Sequence, residues 1–291
     1  MFGLFLLVFS VFLLLADTMF LTYTVFRFIL NKDVILPRFT GGIVLSLVLN
    51  LISIVDEELA RKLHESKAVK PYSVSPFMSG GRVIFPPKSS FTHLYAGRMY
   101  SFRACFIGGL ARTILEAFSI LPEGSVKLMN ADMYISEVEV KSLSFREIKP
   151  VEASGEGDVK VVFLTPTRFA VRRSKPMRKP KFSLFPAPER LFHSIVHHWN
   201  SFAGDRVSEQ KFIDWVIDNV YEVDYHTRSC SVDIGKGRKA VGFTGYVIYR
   251  IEGSKSKRDF ALKLLRYAEY VNVGNAKSMG LGVVRIEKPV K

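Results

Sequence analysis

The stretch Ser256–Glu287, SKRDFALKLLRYAEYVNVGNAKSMGLGVVRIE, holds a helix, a glycine-rich loop and a strand in that order. The helix is expected over 256–270, the loop over 274–282 and the strand over 283–287. A dinucleotide fingerprint needs the reverse arrangement, in which a strand leads through glycines into a helix whose amino terminus meets the phosphates. A Walker loop is excluded too, because no Gly-Lys-Ser/Thr stands at the required spacing. Gly274, Gly280 and Gly282 still let backbone N–H groups approach a phosphate, and Lys277 adds charge. A tight turn feeding a terminal strand accounts for the same glycines equally well.

Working outward, this ending completes a longer pattern. In the second half it is preceded by strand Val159–Leu164, helices Glu189–Ala203 and Ser208–Val220, and strands Val223–Val232 and Ala240–Ile251. The first half opens with strand Phe20–Leu30 and a loop containing Pro37. An apolar helical run, Gly42–Val55, then continues as DEELARKLHES through Glu65. Strands Val69–Phe77, Val83–Phe85 and Met99–Ile107 follow. Helix Gly108–Leu121 comes next, with Leu110, Ile114, Ala117 and Phe118 on one face, and then strands Ser125–Met129 and Met133–Val140. Each half approximates β-α-β-β-α-β. The fold class expected is therefore α+β, with two tandem ferredoxin-like (RRM-like) domains, 19–143 and 144–291, meeting near Leu143–Lys149.

The chain has 291 residues, 48% of them hydrophobic, enough for one large core or two ordinary ones. With 41 Lys+Arg against 27 Asp+Glu the net charge is +14, which points to a polyanionic partner such as nucleic acid or an anionic membrane. Cys105 and Cys230 are the only cysteines, so a disulfide framework and a Cys-rich zinc site are excluded, and a reducing cytoplasm is the simpler home. Residues 1–16, MFGLFLLVFSVFLLLA, lack the basic region of a secretory signal and fall short of the ~20 apolar residues of a span. The expectation is translation from Met19, with 1–18 an extension outside the fold, ahead of a membrane anchor.

Three further constellations bear on chemistry. Arg168–Lys181, RFAVRRSKPMRKPK, carries seven Lys/Arg and no acid, with Phe169 and Phe182 flanking it. Cations for phosphates beside rings for stacking suit single-stranded RNA, whereas a charge run by itself is usually a solvated loop. His193 and His197, four apart on a helix, have metal-ligand spacing but no intervening glutamate or obvious third ligand, so a surface or packing role is expected and no metal. His226 reads as structural, within a strand, and His93 as a loop residue. His64 ends a helix and is followed by Lys67 and Lys70. An imidazole with ammonium groups nearby suits phosphodiester cleavage, and a histidine favoured by the helix dipole is the plain alternative.

Taken jointly, several segments resemble a known family, the CRISPR-associated endoribonucleases of the RAMP superfamily that cut precursor CRISPR RNA within its repeats. They are KPYSVSPF and YSFRACFIG in the first half, then FLTPTRF, FPAPERLFHSIVHHWNSFAG, VGFTGYVIYRI and VGNAKSMGLGVVRI in the second. The resemblance implies paired ferredoxin-like domains, cleavage without metal or other cofactor, and products with a 2′,3′-cyclic phosphate and a 5′-OH. LHESKAVK, residues 63–70, is similar to the family's catalytic context. It implies His64 as a proton-transfer residue and Lys70 as the lysine that stabilises the transition state.

RNA contacts are expected at Lys67, Arg168, Arg172, Arg173, Lys175, Arg178, Lys179, Lys181, Gly274, Lys277, Ser278, Gly280 and Gly282. The expected partner is the repeat RNA, with effector-complex subunits and a second copy of the chain as further candidates. Two departures stand out: Asn272 replaces the family's first loop glycine, and residues 40–60 lack the tyrosine that some members use as a third catalytic group. Tyr23 and Tyr72 are the substitutes available. A catalytically silent RNA-holding subunit of the same superfamily is the alternative function.

Overall fold

The computed structural model describes residues 20–86, 90–121, 124–171, 180–235 and 237–289. The apolar stretch 1–18 and the cations Arg172, Arg173, Lys175, Arg178 and Lys179 lie outside the described residues.

The first domain begins with β1 (Phe20–Leu30) and β2 (Val34–Pro37), followed by α1 (Gly41–Val55) and α2 (Glu57–Glu65). Then come β3 (Tyr72–Val74), β4 (Met78–Ser79), β5 (Arg82–Val83), β6 (Phe91–Leu94), β7 (Tyr100–Ile107), α3 (Leu110–Ile120), β8 (Ser125–Leu128) and β9 (Ala131–Ser144). Among the described residues its main sheet runs β5-β4-β7-β1-β9-β8, with β3 also paired to β7. Central β1 is antiparallel to both neighbours, with Thr22 opposite Phe106 on one side and Ser142 on the other. Counting β3/β4 as the second ferredoxin strand, β7 as the third and β9 as the fourth, the order is 4-1-3-2.

The second domain repeats that order. Its elements are β10 (Asp158–Thr167), β11 (Phe169–Ala170), β12 (Phe182–Ser183), α4 (Pro188–Phe202), α5 (Glu209–Asn219), β13 (Val220–Asp233), β14 (Lys239–Ile251), α6 (Lys255–Val271) and β15 (Val284–Glu287). The sheet order β13-β14-β10-β15 is 2-3-1-4 in ferredoxin terms. The architecture is thus the tandem ferredoxin-like α+β arrangement that the alternating strand and helix patterns lead one to expect.

The helices bury the stripes that their sequences carry. In α1 the buried residues Gly41, Val44, Leu47, Val48, Leu51 and Ile52 recur at helical spacing, and the stripe lies in the first core with Phe26, Phe28 and Phe102. The helical run does not continue unbroken to Glu65, as the sequence pattern suggested. Asp56 adopts φ −148°, ends α1, and its carboxylate accepts from the Leu59 N–H at 2.8 Å to cap α2. Two further differences share one cause, pairing between distant segments. The Pro37 loop is strand β2, and His93 lies in its partner β6 rather than in a loop (Ile35 opposite His93). Strand 69–77 shrinks to Tyr72–Val74, because the residues before it turn back towards α2.

The two domains meet along β3. Gly41 opens α1 directly beneath the glycine-rich loop, and a Cβ there would stand 2.1 Å from the Met279 carbonyl oxygen. Ser73 Oγ donates to the Tyr270 carbonyl at 3.2 Å, and Asn272 Nδ2 donates to the Val74 carbonyl at 2.9 Å. The glycine-rich loop and the segment carrying Lys70 are therefore neighbours, although about two hundred residues separate them.

Candidate functional site

His64 sits in the last turn of α2, a helix with Glu57 and Glu58 in its first turn and Lys62 and His64 in its last, the polarity that the helix dipole favours. Its side chain is exposed, as is that of Lys67. The chain then turns back, and the Lys70 ammonium reaches the open end of the helix. Nζ donates to the Leu63 carbonyl and, at 3.3 Å, to the His64 carbonyl, oxygens that have no partner within the helix. The Tyr72 hydroxyl donates to the same Leu63 carbonyl at 3.4 Å. Burial lowers the Lys70 ammonium and pushes the Tyr72 phenol up to about 12, so Tyr72 keeps its proton at neutral pH. Of Tyr23 and Tyr72, Tyr72 stands at the His64 end of the helix. Tyr23 is engaged elsewhere: its hydroxyl accepts from Arg103 at 3.2 Å and its ring meets Tyr270 at 5.4 Å.

Lys70 also lines a cavity of about 910 Å³ that opens between the domains. Its opposite wall is the glycine-rich loop, from which Lys277 reaches in and donates from Nζ to the Ser194 carbonyl at 3.4 Å. Burial pushes the Lys277 ammonium down to about 7, so the wall carries a lysine only partly charged at neutral pH. Along the α4 wall, His193 and His197 stack in parallel with ring centroids 6.0 Å apart. Glu209 of α5 lies 3.8 Å from the first and 3.2 Å from the second, an acid that their sequence spacing did not reveal.

The loop glycines divide between two tasks. Gly274 lies on the cavity with φ +73°, and its N–H donates to Ser194 Oγ at 2.6 Å. Ser278 lines the same wall. Gly280 and Gly282 are instead buried. A Cβ at Gly282 would stand 1.8 Å from the Val273 oxygen, and one at Gly280 3.1 Å from the Gly41 Cα, so these two shape the loop against its surroundings. Asn272, in the position of the missing glycine, takes φ +62°, and its side chain ties Val74 to the Lys277 carbonyl.

The amino-terminal end of the basic segment is already engaged. Arg168 donates from Nε and Nη2 to Asn275 at 3.2 and 3.0 Å, and its guanidinium lies 3.9 Å over the Phe182 ring. Phe169 is not available for base stacking, because it is 2% exposed and packs in the second core beside Phe243. Phe182 is half-buried under Arg168, and Lys181 is exposed. His226 sits on β13, exposed, with its ring 6.3 Å from Tyr246. The pattern gave no reason to separate His198 from its neighbours, yet it is 4% exposed, and its Nδ1 lies 2.7 Å from the Tyr267 hydroxyl.

Comparison with known proteins identifies the family and the fold. Residues 23–143 match the Cas6 N-terminal domain and residues 161–284 match CRISPR-associated endoribonuclease Cas6. A CRISPR-associated endoribonuclease Cas6 of Streptococcus thermophilus is 20% identical over 157 residues, and one of Mycobacterium tuberculosis 23% over 128. These matches span 53% and 44% of this chain, but only 61% and 38% of the length of those relatives. The solved structure of a Cas6 product complex aligns with a TM-score of 0.72 at 22% identity, covering 92% of this chain and all of that one, a likeness of fold. With both halves matched in order by one family, on two sheets of the same strand order, the chain belongs to the Cas6 family of CRISPR-associated endoribonucleases.

Proposed function

We propose that this protein cleaves precursor CRISPR RNA within its repeats, without a metal, and retains the processed RNA. The observation that carries the proposal is the Lys70 ammonium at the end of the helix that bears His64, on a cavity shared with Lys277 and Gly274. A ribose 2′-OH gives up its proton and its oxygen bonds to the adjacent phosphorus. The P–O5′ bond then breaks, and a proton reaches the departing 5′-oxygen. The products are a 2′,3′-cyclic phosphate and a 5′-OH, with no net gain or loss of water. His64 carries one of the two protons, and Lys70 offsets the added negative charge of the phosphorane. Tyr72, protonated beside Lys70, is the better placed of the two tyrosines to serve the other transfer. Lys67, Lys181, the basic segment and the exposed part of the glycine-rich loop hold the RNA backbone, in a reducing cytoplasm where Cys105 and Cys230 stay free.

A second reading has an observation of its own. Lys70 caps two helix carbonyls, as a purely structural lysine would, and this favours a silent RNA-holding subunit acting beside other effector proteins. The full chain with labelled repeat RNA in EDTA separates the two. A single cut by wild type, lost in His64→Ala and in Lys70→Ala while binding persists, supports the nuclease. Tight binding with no cut by wild type supports the holder.

A further inference from the structure

Asn272 ends α6 at the junction of the two domains, and it is 4% exposed. Its side-chain amide faces two main-chain carbonyls, one from each domain. Nδ2 donates to the Val74 carbonyl of β3 at 2.9 Å and to the Lys277 carbonyl of the glycine-rich loop at 3.2 Å. Both partners can only accept, so the amide nitrogen faces them and each of its two N–H groups has an acceptor. The backbone φ of +62° is one that glycine and asparagine adopt at least cost. Glycine would therefore supply the same turn without the bridge.

Each end of the bridge leads to a wall of the cavity. Val74 closes the short strand that Tyr72 opens, and Tyr72 and Lys70 line the cavity from the first domain. Lys277 lines it from the second. The Lys277 carbonyl also accepts from the Gly280 N–H at 3.1 Å, but that bond lies within the loop and sets nothing across the junction. Beside the bridge, Ser73 Oγ donates to the Tyr270 carbonyl at 3.2 Å, so consecutive residues of β3 are tied to the end of α6.

We propose that Asn272 is a positioning residue for RNA cleavage: its amide holds the Lys277 wall of the cavity in register with the wall that carries Tyr72 and Lys70. This rests on the reading of His64 and Lys70 given above. RNA gripped by the loop then meets the first-domain groups at a fixed separation. The Asn272 side chain is buried in the junction and touches no RNA, so its loss acts on the chemical step more than on binding.

The test uses the full chain with Asn272→Gly and Asn272→Asp. Gly keeps the turn and removes both bonds, while Asp keeps the size but has no N–H to donate. Gly97→Ala, strained at φ +70° in open space, is the control for lost stability alone. Melting temperature, affinity for labelled repeat RNA, single-turnover cleavage in EDTA and amide exchange over residues 274–282 are measured for each. The expected result is near-wild-type affinity throughout, with cleavage about tenfold or more slower in Asn272→Gly and Asn272→Asp only. Exchange over 274–282 accelerates in the same two. Wild-type cleavage rates in both overturn the proposal, as does equal slowing in Gly97→Ala. Failure of Asn272→Gly to fold overturns it too, because the side chain would then serve the fold as a whole. If wild type itself does not cut, the nuclease reading fails and exchange decides the positioning role: acceleration in the two Asn272 variants supports it, and unchanged exchange overturns it.

Discussion

Raising the pH from about 6 to about 8 is expected to weaken RNA binding about tenfold through Lys277 alone. In the free protein burial holds this ammonium near 7 against an ordinary 10.5. A phosphate entering the cavity supplies the missing counter-charge and restores the affinity for the proton. Below pH 7 the free protein already holds that proton, and binding needs no uptake. Above 7 the proton must be taken up on binding, so affinity falls about tenfold, or about 1.4 kcal/mol, per pH unit until the bound lysine itself titrates.

The assay is fluorescence anisotropy with labelled repeat RNA in the His64→Ala background, at fixed salt, with Lys277 and Lys277→Arg compared at each pH. The arginine stays charged throughout, so its pH dependence should be flatter. Equal slopes for the two proteins would refute the reasoning. The same group acts on stability with a definite sign. Its folded pKa lies below the unfolded one, so between about 7 and 10.5 the unfolded chain binds more protons and stability rises with pH. Lys277→Met removes the penalty and should stabilise the fold at pH 7 by about 1–3 kcal/mol while weakening RNA binding.

Neutralising Arg172, Arg173, Arg178 and Lys179 together should lower the slope of log affinity against log salt by about 3 and leave cleavage of bound RNA unchanged; an unaltered slope would mark the segment as a solvated loop. Gly282→Ala should cost about 3 kcal/mol or more in urea unfolding, because φ is +71° and the added carbon meets the Val273 oxygen. Gly97→Ala, with φ +70° but open space around it, should cost about 1 kcal/mol and serves as the control. Asp56→Ala should cost about 1 kcal/mol, read from thermal melts, through the lost cap on α2.

The order of strands and helices, the two ferredoxin-like halves and the position of His64 at a helix end were all legible in the sequence. Each depends on local regularities: alternation along β1, the apolar stripe of α1, and the charge gradient of α2. The break at Asp56 was also local, but the apolar pattern ran through it and hid the cap. Other features depended on what the chain meets far away. Phe169 looked like a stacking ring beside cations, and became core only because β14 brings Phe243 to it. Gly280 and Gly282 looked like phosphate-binding glycines, whereas the first domain and the Val273 carbonyl press against them. His193, His197 and His198 are alike in sequence. Helical rotation sets the first two beside Glu209 and the third against Tyr267. Residue type and spacing thus determined the elements and the chemistry on offer. Only the docking of the two domains decided which of those groups share a site, because burial and partner choice arise from contacts between segments that the chain keeps far apart.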